Sequence, residues 1–327
     1  MHNRTARRVG CRLDAARLKS TGAGRAGSPP IVHTPHQDRT GLLFALAGFA
    51  LLSLGDAVVK TMVDDWPPTA IAALRYALGA AGLSGLLLAS EGRPGFAFGR
   101  LRLQLLRGAS VAAATLAFFS SLFFMPLAEA TTIIFVAPMI TALLAPLFLC
   151  EPLRRATWVA SIAAFAGVLV ILRPNLAELG IAALLPLVSA CGMSALFIAN
   201  RAGAGHASPL AMQASLAIVA APILLLAAGA GHLTGGPGLA IGWPPLAVAA
   251  KCALVAVTAS SGHLLIYLGT TRTGAASIAP MTYVQLLVAT TLGWLWFGDR
   301  PDGVALAGAV VIVAAGLYLW RVQRNPG

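Results

Sequence analysis

The chain has 327 residues, of which 58% are hydrophobic and 10% are charged, and its formal net charge is +12. Soluble domains carry about 25% charged residues, so this composition excludes an ordinary soluble protein and predicts that most of the chain lies in lipid. The excess of Lys and Arg does not indicate nucleic-acid binding, because these residues concentrate in the N-terminal stretch and in predicted loops, where membrane proteins use them to set orientation.

Residues 1–40 differ from the rest of the chain, because they carry eight Lys and Arg residues against two Asp residues and have no long apolar core. We predict a disordered, basic, cytoplasmic tail without a fold of its own. An Arg-rich, acid-poor segment can also be a transit peptide, and a start codon placed too early would give the same pattern.

Ten apolar stretches follow the tail, and a membrane-spanning helix needs about 20 such residues. The predicted helices are 41–63, 69–90, 103–124, 127–149, 154–172, 177–198, 209–230, 246–269, 275–297 and 302–320. Pro- and Gly-containing breaks such as 64–68, 91–95 and 173–175 separate them. Lys and Arg collect in the loops of one side, so both termini are expected in the cytoplasm, which requires an even number of spans.

The segment 127–172 corresponds to the segment 275–320 at a shift of 148 residues. Each copy consists of an apolar span, an acidic break at Glu151 or Asp299, and a second apolar span. The chain is therefore predicted to be a duplication of two five-helix halves. Because five is odd, the second half must enter the membrane from the opposite side, as in transporters with inverted repeats.

The repeated segments carry a resemblance to a known family. The copies begin with LAEATTIIF (127–135) and AASIAPMTY (275–283), and their first spans end with PLFLCEP (146–152) and GWLWFGDRP (293–301). On these motifs the chain resembles the drug/metabolite transporter superfamily, specifically proteins with two EamA domains. The stretch 53–76, SLGDAVVKTM followed after four residues by PPTAIAALRY, looks like the branch that includes S-adenosylmethionine and riboflavin uptake proteins.

The resemblance implies an all-α integral membrane fold of ten helices in a 5+5 inverted repeat, with EamA repeats at 41–173 and 177–321. It implies a central cavity lined by helices 1–4 and 6–9, both termini in the cytoplasm, and a location in the bacterial inner membrane. The implied function is secondary transport of a small organic metabolite by alternating access. The expected partners are the substrate, the lipid bilayer and, where transport is coupled, a proton or ion. The protein is expected to be a monomer or a homodimer.

Two other functions were weighed against transport. A membrane-embedded enzyme would need a nucleophile–base pair, a carboxylate pair or a metal motif such as HExxH, and the sequence contains no such motif. The four cysteines are scattered without metal-ligand spacing, and there is no Walker A motif, so we expect no cofactor, no metal and no ATP hydrolysis. A sensor or scaffold would be expected to carry a soluble output domain.

Charged residues within the first two predicted helices are the main candidates for the substrate site, because each is costly in lipid. Asp56 and Lys60 are four residues apart, acid first, so they share a helix face. They either neutralise each other, with Lys60 reaching the interface, or face the cavity and hold a polar or zwitterionic substrate or a proton; we favour the cavity. Arg75, beside Tyr76, either binds a carboxylate or phosphate or pairs internally with Asp56 or Glu129. A spare guanidinium in the cavity would favour an anionic substrate.

His263, Tyr267, Tyr283 and Gln285 are the candidates in the second half. A lone His in a helix is more often a packed, hydrogen-bonded residue, and a buried amide such as that of Gln285 needs partners. Pro138 lies in the middle of the fourth predicted helix, where a proline frees a backbone carbonyl and kinks the helix. We expect this kink to serve as a gating hinge.

Overall fold

The computed structural model of the chain describes residues 35–148, 155–203, 207–235, 238–273, 279–300 and 302–324. The regular elements in these ranges are all helical. The α-helices are α1 (Pro35–Lys60), α2 (Pro68–Glu91), α3 (Leu101–Ser121), α4 (Leu127–Ile134), α5 (Ala137–Phe148), α6 (Arg155–Leu179), α7 (Leu185–Gly203), α8 (Pro209–Thr234), α9 (Leu246–Thr273), α10 (Tyr283–Phe297) and α11 (Gly303–Arg324). Short 3₁₀ turns occur at Arg93–Phe96, Gly180–Leu184 and Ala279–Thr282.

Six of the helical segments are long and apolar enough to cross a membrane. They are Thr40–Lys60, Pro68–Glu91, Leu101–Ser121, Gly180–Asn200, Pro209–Thr234 and Leu246–Gly269. Shorter apolar helical segments cover Leu127–Thr141, Trp158–Ile171, Tyr283–Phe297 and Gly303–Tyr318. The predicted all-α fold is confirmed for the described residues, with six helices of membrane-spanning length and four shorter apolar helices.

The fourth predicted helix is interrupted rather than continuous. α4 ends at Ile134, α5 begins at Ala137, and Pro138 is the second residue of α5. The amides of Phe135 and Val136 bond to carbonyls three residues back, at 3.1 and 3.2 Å, which is the tighter 3₁₀ pattern. Since Pro138 has no N–H to continue the ladder, the break lies where the proline predicts it.

Two predicted boundaries are wrong. The break predicted at 173–175 is absent, because α6 continues through Pro174 to Leu179 and ends before Gly180, whose φ of +59° takes the chain out of the helix. α1 begins at Pro35, before the predicted start at Gly41. The remainder of the predicted tail, residues 1–34, lies outside the described residues.

The helices pack mainly against helices that are distant in sequence. The largest contacts join α1 to α9, α2 to α8, α3 to α7 and α6 to α11. Further contacts join α1 to α10, α3 to α8, α2 to α9, and both α4 and α5 to α7. The bundle is therefore held together by pairing of early helices with late ones.

Two of these contacts depend on glycine. A Cβ built at Gly48 in α1 would lie 2.7 Å from the carbonyl oxygen of Gly262 in α9, and one at Gly262 would lie 2.9 Å from the carbonyl oxygen of Gly48. Gly167 in α6 and Gly308 in α11 approach each other equally closely, at 2.8 Å in each direction. Small residues allow the close backbone approach that drives helix association in lipid.

Gly48→Ala is expected to lower the free energy of unfolding, because the new Cβ has to displace the backbone of α9. Overpacking of this kind costs about 1–3 kcal/mol. Gly82→Ala in α2 is the matched control, because no atom lies within 4 Å of its built Cβ. The measurement is equilibrium unfolding in detergent. Equal stability of the two variants would contradict the close α1–α9 contact.

Candidate functional site

Lys60 links three helix junctions at one end of the bundle. Its Nζ lies 2.8 Å from Oδ2 of Asp299, and the two side chains are 13% and 23% exposed. The same Nζ donates to the carbonyl of Met125 at 3.2 Å and lies 5.1 Å from the ring centroid of Phe297. Lys60 ends α1, Met125 lies between α3 and α4, and Asp299 follows α10, so these three junctions meet. We call this side of the bundle the Lys60 end.

Asp56 and Lys60 do not pair with each other, so the alternative in which they neutralise each other is wrong. Lys60 is paired with Asp299, and Asp56 instead accepts a hydrogen bond from Nε2 of Gln285 at 3.2 Å. Ser53, one turn before Asp56, donates to the backbone carbonyl of Gln285 at 2.9 Å. Two predicted site residues from opposite halves of the chain, Asp56 and Gln285, are thus joined in one α1–α10 contact.

Further contacts reinforce the Lys60 end. Lys251 at the start of α9 lies 3.7 Å from a carboxylate oxygen of Asp65 and donates to the carbonyl of Thr61 at 3.1 Å. The indole N–H of Trp66 donates to the carbonyl of Gly242 at 3.1 Å. The α1–α2 junction is therefore tied to the segment that leads into α9.

Arg75 in α2 lies against aromatic rings. Its guanidinium carbon is 4.6 Å from the ring centroid of Tyr76 and 5.5 Å from that of Phe119. Tyr76, another predicted site residue, shares a 3.0 Å hydrogen bond with the hydroxyl of Thr115 in α3. The charge of Arg75 acts on Asp56 and on His263 in α9, so these residues of three helices share one electrostatic environment.

A cavity of about 460 Å³ lies toward the opposite side of the bundle. We call that side the Glu91 end, because α2 ends there at Glu91. Glu91 accepts a hydrogen bond from Ser208 at 2.6 Å, and Arg100 donates to the carbonyl of Ala202 at 3.3 Å. The cavity is lined by Leu83, Leu86, Arg107, Asn200, Ala207, Pro209, Leu210, Met212, Gln213, Ser260, Ser261, His263, Leu264 and Tyr267.

Of the predicted site residues, His263 and Tyr267 are among the described residues that line this cavity. Asp56, Lys60, Arg75 and Gln285 are not among the lining residues of the cavity. Tyr283 contacts its counterpart in the first half, Phe135, with ring centroids 5.7 Å apart. The His263 side chain lies at the surface of the bundle rather than in its packed core.

Arg107 was not predicted, although it lines the cavity. It is 3% exposed, and its Nε donates to Oδ1 of Asn200 at 2.6 Å. Its Nη2 donates to the carbonyl of Met212 at 3.1 Å, and Nη1 donates to Ser215 at 3.3 Å and to Gln104. The sequence did contain a signal, since a cation stands inside the third predicted helix with Gln104 one turn before it.

Comparison with known proteins agrees with this architecture. The model of the EamA-like transporter family matches residues 39–173 and 180–321. The chain is 29% identical to a riboflavin transporter of Rhizobium johnstonii over 199 residues, which are 60% of this chain and 62% of the relative. It is 27% identical to an S-adenosylmethionine uptake transporter of Rickettsia bellii over 59% of this chain and 64% of that protein. The chain thus spans less than two thirds of the length of these two relatives.

Two longer matches complete the comparison. The chain is 24% identical to a pseudopaline exporter of Pseudomonas aeruginosa over 299 residues, which are 88% of this chain and 98% of the exporter. A solved crystal structure has the same fold, with a TM-score of 0.63, 18% identity, and coverage of 88% of this chain and 99% of that one.

A double-mutant cycle of Lys60→Met and Asp299→Asn is expected to show a coupling of about 1–2 kcal/mol in the free energy of unfolding. This lies between the values for exposed and fully buried ion pairs, because both side chains are partly buried. The control cycle is Lys251→Met with Asp65→Asn, a longer pair whose side chains are 34% and 49% exposed. Its coupling should stay below about 1 kcal/mol. Equal coupling in the two cycles would contradict a special role for the Lys60–Asp299 pair.

Proposed function

Because the chain belongs to the EamA-like transporter family, we propose that it is a secondary transporter that moves a small organic metabolite across the bacterial inner membrane. The observation that carries the proposal is a structural difference between the two ends of the bundle. The Lys60 end is tied by the Lys60–Asp299 pair, whereas the cavity reaches the Glu91 end. Such an arrangement corresponds to one state of an alternating-access cycle, in which the site is exposed to one side at a time.

We propose that the ten helices form two inverted five-helix repeats, in which α1, α2, α3, α4–α5 and α6 correspond to α7, α8, α9, α10 and α11. The packing pairs support this. Exchanging the halves turns the α1–α9 contact into the α7–α3 contact, and the α2–α9 contact into the α8–α3 contact, and all four are present. The α2–α8 and α6–α11 contacts map onto themselves, as expected for helices beside a two-fold axis.

One aromatic pair supports the same symmetry. Phe135 and Tyr283 are related by the 148-residue shift of the sequence repeat, and their rings touch. Equivalent residues contact each other only near a symmetry axis. The proposed axis therefore passes beside the α4–α5 break, and we propose that this break, with Pro138, is a hinge on which the gating motion turns.

The two sides of the membrane are assigned from basic residues. Arg93, Arg100 and Arg102 lie at the Glu91 end, so we propose that this end faces the cytoplasm, that both termini lie there, and that the cavity faces inward. Reporter fusions at 64–68 and 231–245 are expected to report an extracytoplasmic position, and fusions at the termini a cytoplasmic one. A cytoplasmic signal from either internal loop would contradict the orientation.

The proposed substrate path runs from the cavity past His263 to the contacts around Arg75, Tyr76, Asp56 and Gln285. Arg75 supports this because its cation is held by aromatic faces and keeps its N–H groups for a ligand. We propose that Lys60 helps to close the Lys60 end and does not contact the substrate directly. We propose that Tyr283 acts with Phe135 at the repeat axis.

Transport by proteoliposomes tests the proposed function. Ligands are first sought by thermal shift among amino acids, nucleosides, flavins and S-adenosylmethionine, and each hit is then assayed for uptake. Arg75→Lys is expected to lower uptake about tenfold or more while the protein stays monodisperse, because lysine keeps the charge but loses the planar fork. Arg93→Ala, on an exposed turn, is the control and should transport normally.

The outcomes separate function from folding. Normal transport by Arg75→Lys and Arg75→Ala would place the substrate elsewhere. Loss of monodispersity in both would make Arg75 a structural residue. No uptake of any hit by the unchanged protein would contradict the transporter itself.

A further inference from the structure

Arg107 is a buried cation whose hydrogen bonds are all to uncharged groups. It is held by an amide oxygen of Asn200, the carbonyl of Met212, the hydroxyl of Ser215 and the amide oxygen of Gln104. Ser215 also donates to Gln104 at 3.0 Å, so the acceptors form a connected network. These residues come from α3, α7 and α8, and the guanidinium therefore has a fixed position in the cavity wall.

The network accepts four hydrogen bonds from Arg107 without neutralising its charge. Within the described ranges no carboxylate lies within ion-pair distance of it. An arginine cannot discard its proton, and a buried cation without a counter-charge is costly. An anion in the cavity would supply that counter-charge.

We infer that Arg107 is the charge-selecting residue of the cavity and that the cavity takes organic anions, such as carboxylates with an apolar body. The inference rests on the proposed transport function and adds the substrate class to it. Apolar side chains such as Leu83, Leu86 and Leu264 line the same cavity and would cover the body of such a ligand. Gln213 and Ser261 supply further polar groups. The cavity volume of about 460 Å³ suits a small metabolite.

A purely structural role for Arg107 is the competing explanation. In that case the residue clamps α3, α7 and α8 together through its hydrogen bonds, and its charge has no effect on ligands. The two explanations differ in one measurable quantity, the electrostatic potential inside the cavity. That potential can be measured without knowledge of the natural substrate.

The test uses a cysteine reporter in the cavity. All four native cysteines are replaced, and Gln213→Cys is introduced next to Met212, whose carbonyl binds Arg107. The detergent-purified protein is reacted with an anionic reagent, sulfonatoethyl methanethiosulfonate, and with a cationic one, trimethylammonioethyl methanethiosulfonate. Each rate is divided by the rate of the same reagent with 2-mercaptoethanol, and the anion-to-cation ratio is compared among variants.

The reporter protein with Arg107 intact is expected to favour the anionic reagent about fivefold or more, since a unit charge in a partly desolvated cavity acts strongly on both reagents in opposite directions. Arg107→Gln should lower the ratio to about one, and Arg107→Lys, which keeps the charge and loses the fork, should retain most of it. Arg102→Gln removes an exposed cation from the same helix and should leave the ratio unchanged.

The proposal is overturned if the ratio is one or less with Arg107 intact, a result that does not depend on how any variant folds. It is also overturned if Arg107→Gln changes both rates together and leaves their ratio unchanged, as a structural clamp predicts. Labelling requires no transport. If the cavity favours the anionic reagent but the protein fails every uptake assay, the anion site is supported and the transporter function is contradicted. Transport of a cationic metabolite would support the transporter function and contradict the anion site.

Discussion

The bundle is organised by the requirement that no charge faces hydrocarbon. A charged side chain at the centre of the bilayer costs at least about 2.5–3.5 kcal/mol on insertion scales, so each must turn towards protein or water. In the described helices, charged side chains therefore contact segments that are distant in sequence. Lys60 and Asp299 are 239 residues apart, and Asp56 and Gln285 are 229 apart. The same residues that would be unfavourable in lipid therefore fix which helices are neighbours. Close glycine contacts such as Gly48 with Gly262 then set how near those helices come.

The apolar stretches were sufficient to locate the helices, but two prolines show that the sequence alone could not predict where each helix is interrupted. Pro138 and Pro174 both stand within apolar stretches and give the same local signal. The chain breaks just before Pro138, whereas α6 continues through Pro174. A proline removes one donor from the helix ladder, and whether the helix then stops depends on how the freed carbonyl and the next turn are accommodated. In α6 the helix stops only where Gly180 adopts positive φ, a backbone state that the proline does not determine.

The partners of the candidate side chains could be predicted only in part, because they too depend on tertiary packing. Spacing along a helix correctly put Asp56 and Lys60 on one face, but it could not reveal that Asp299, from the turn after α10, would take Lys60. Gln285 was predicted to need a partner, and Asp56 is that partner. Arg107 was missed because it stands near the start of its helix, where basic residues usually serve orientation. Its burial follows from the packing of α3 against α7 and α8, which only the tertiary structure supplies.

Lys60, Arg75 and Arg107 differ in which groups surround their charges, and this difference supports different proposed roles for them. Lys60 has a carboxylate of Asp299 at 2.8 Å, so its charge is neutralised in an ion pair at the end that is proposed to be closed. Arg75 lies over two aromatic faces, which stabilise a cation without neutralising it. Arg107 is surrounded by neutral oxygens, which orient it and leave its field intact. In the proposed cycle the Lys60–Asp299 pair would have to break before that end opens, and the two arginines would act on a ligand in the proposed path. Among the described residues, neither arginine has a carboxylate within ion-pair distance, and both lie along the proposed path, whereas Lys60, which has one, lies at the end proposed to be closed.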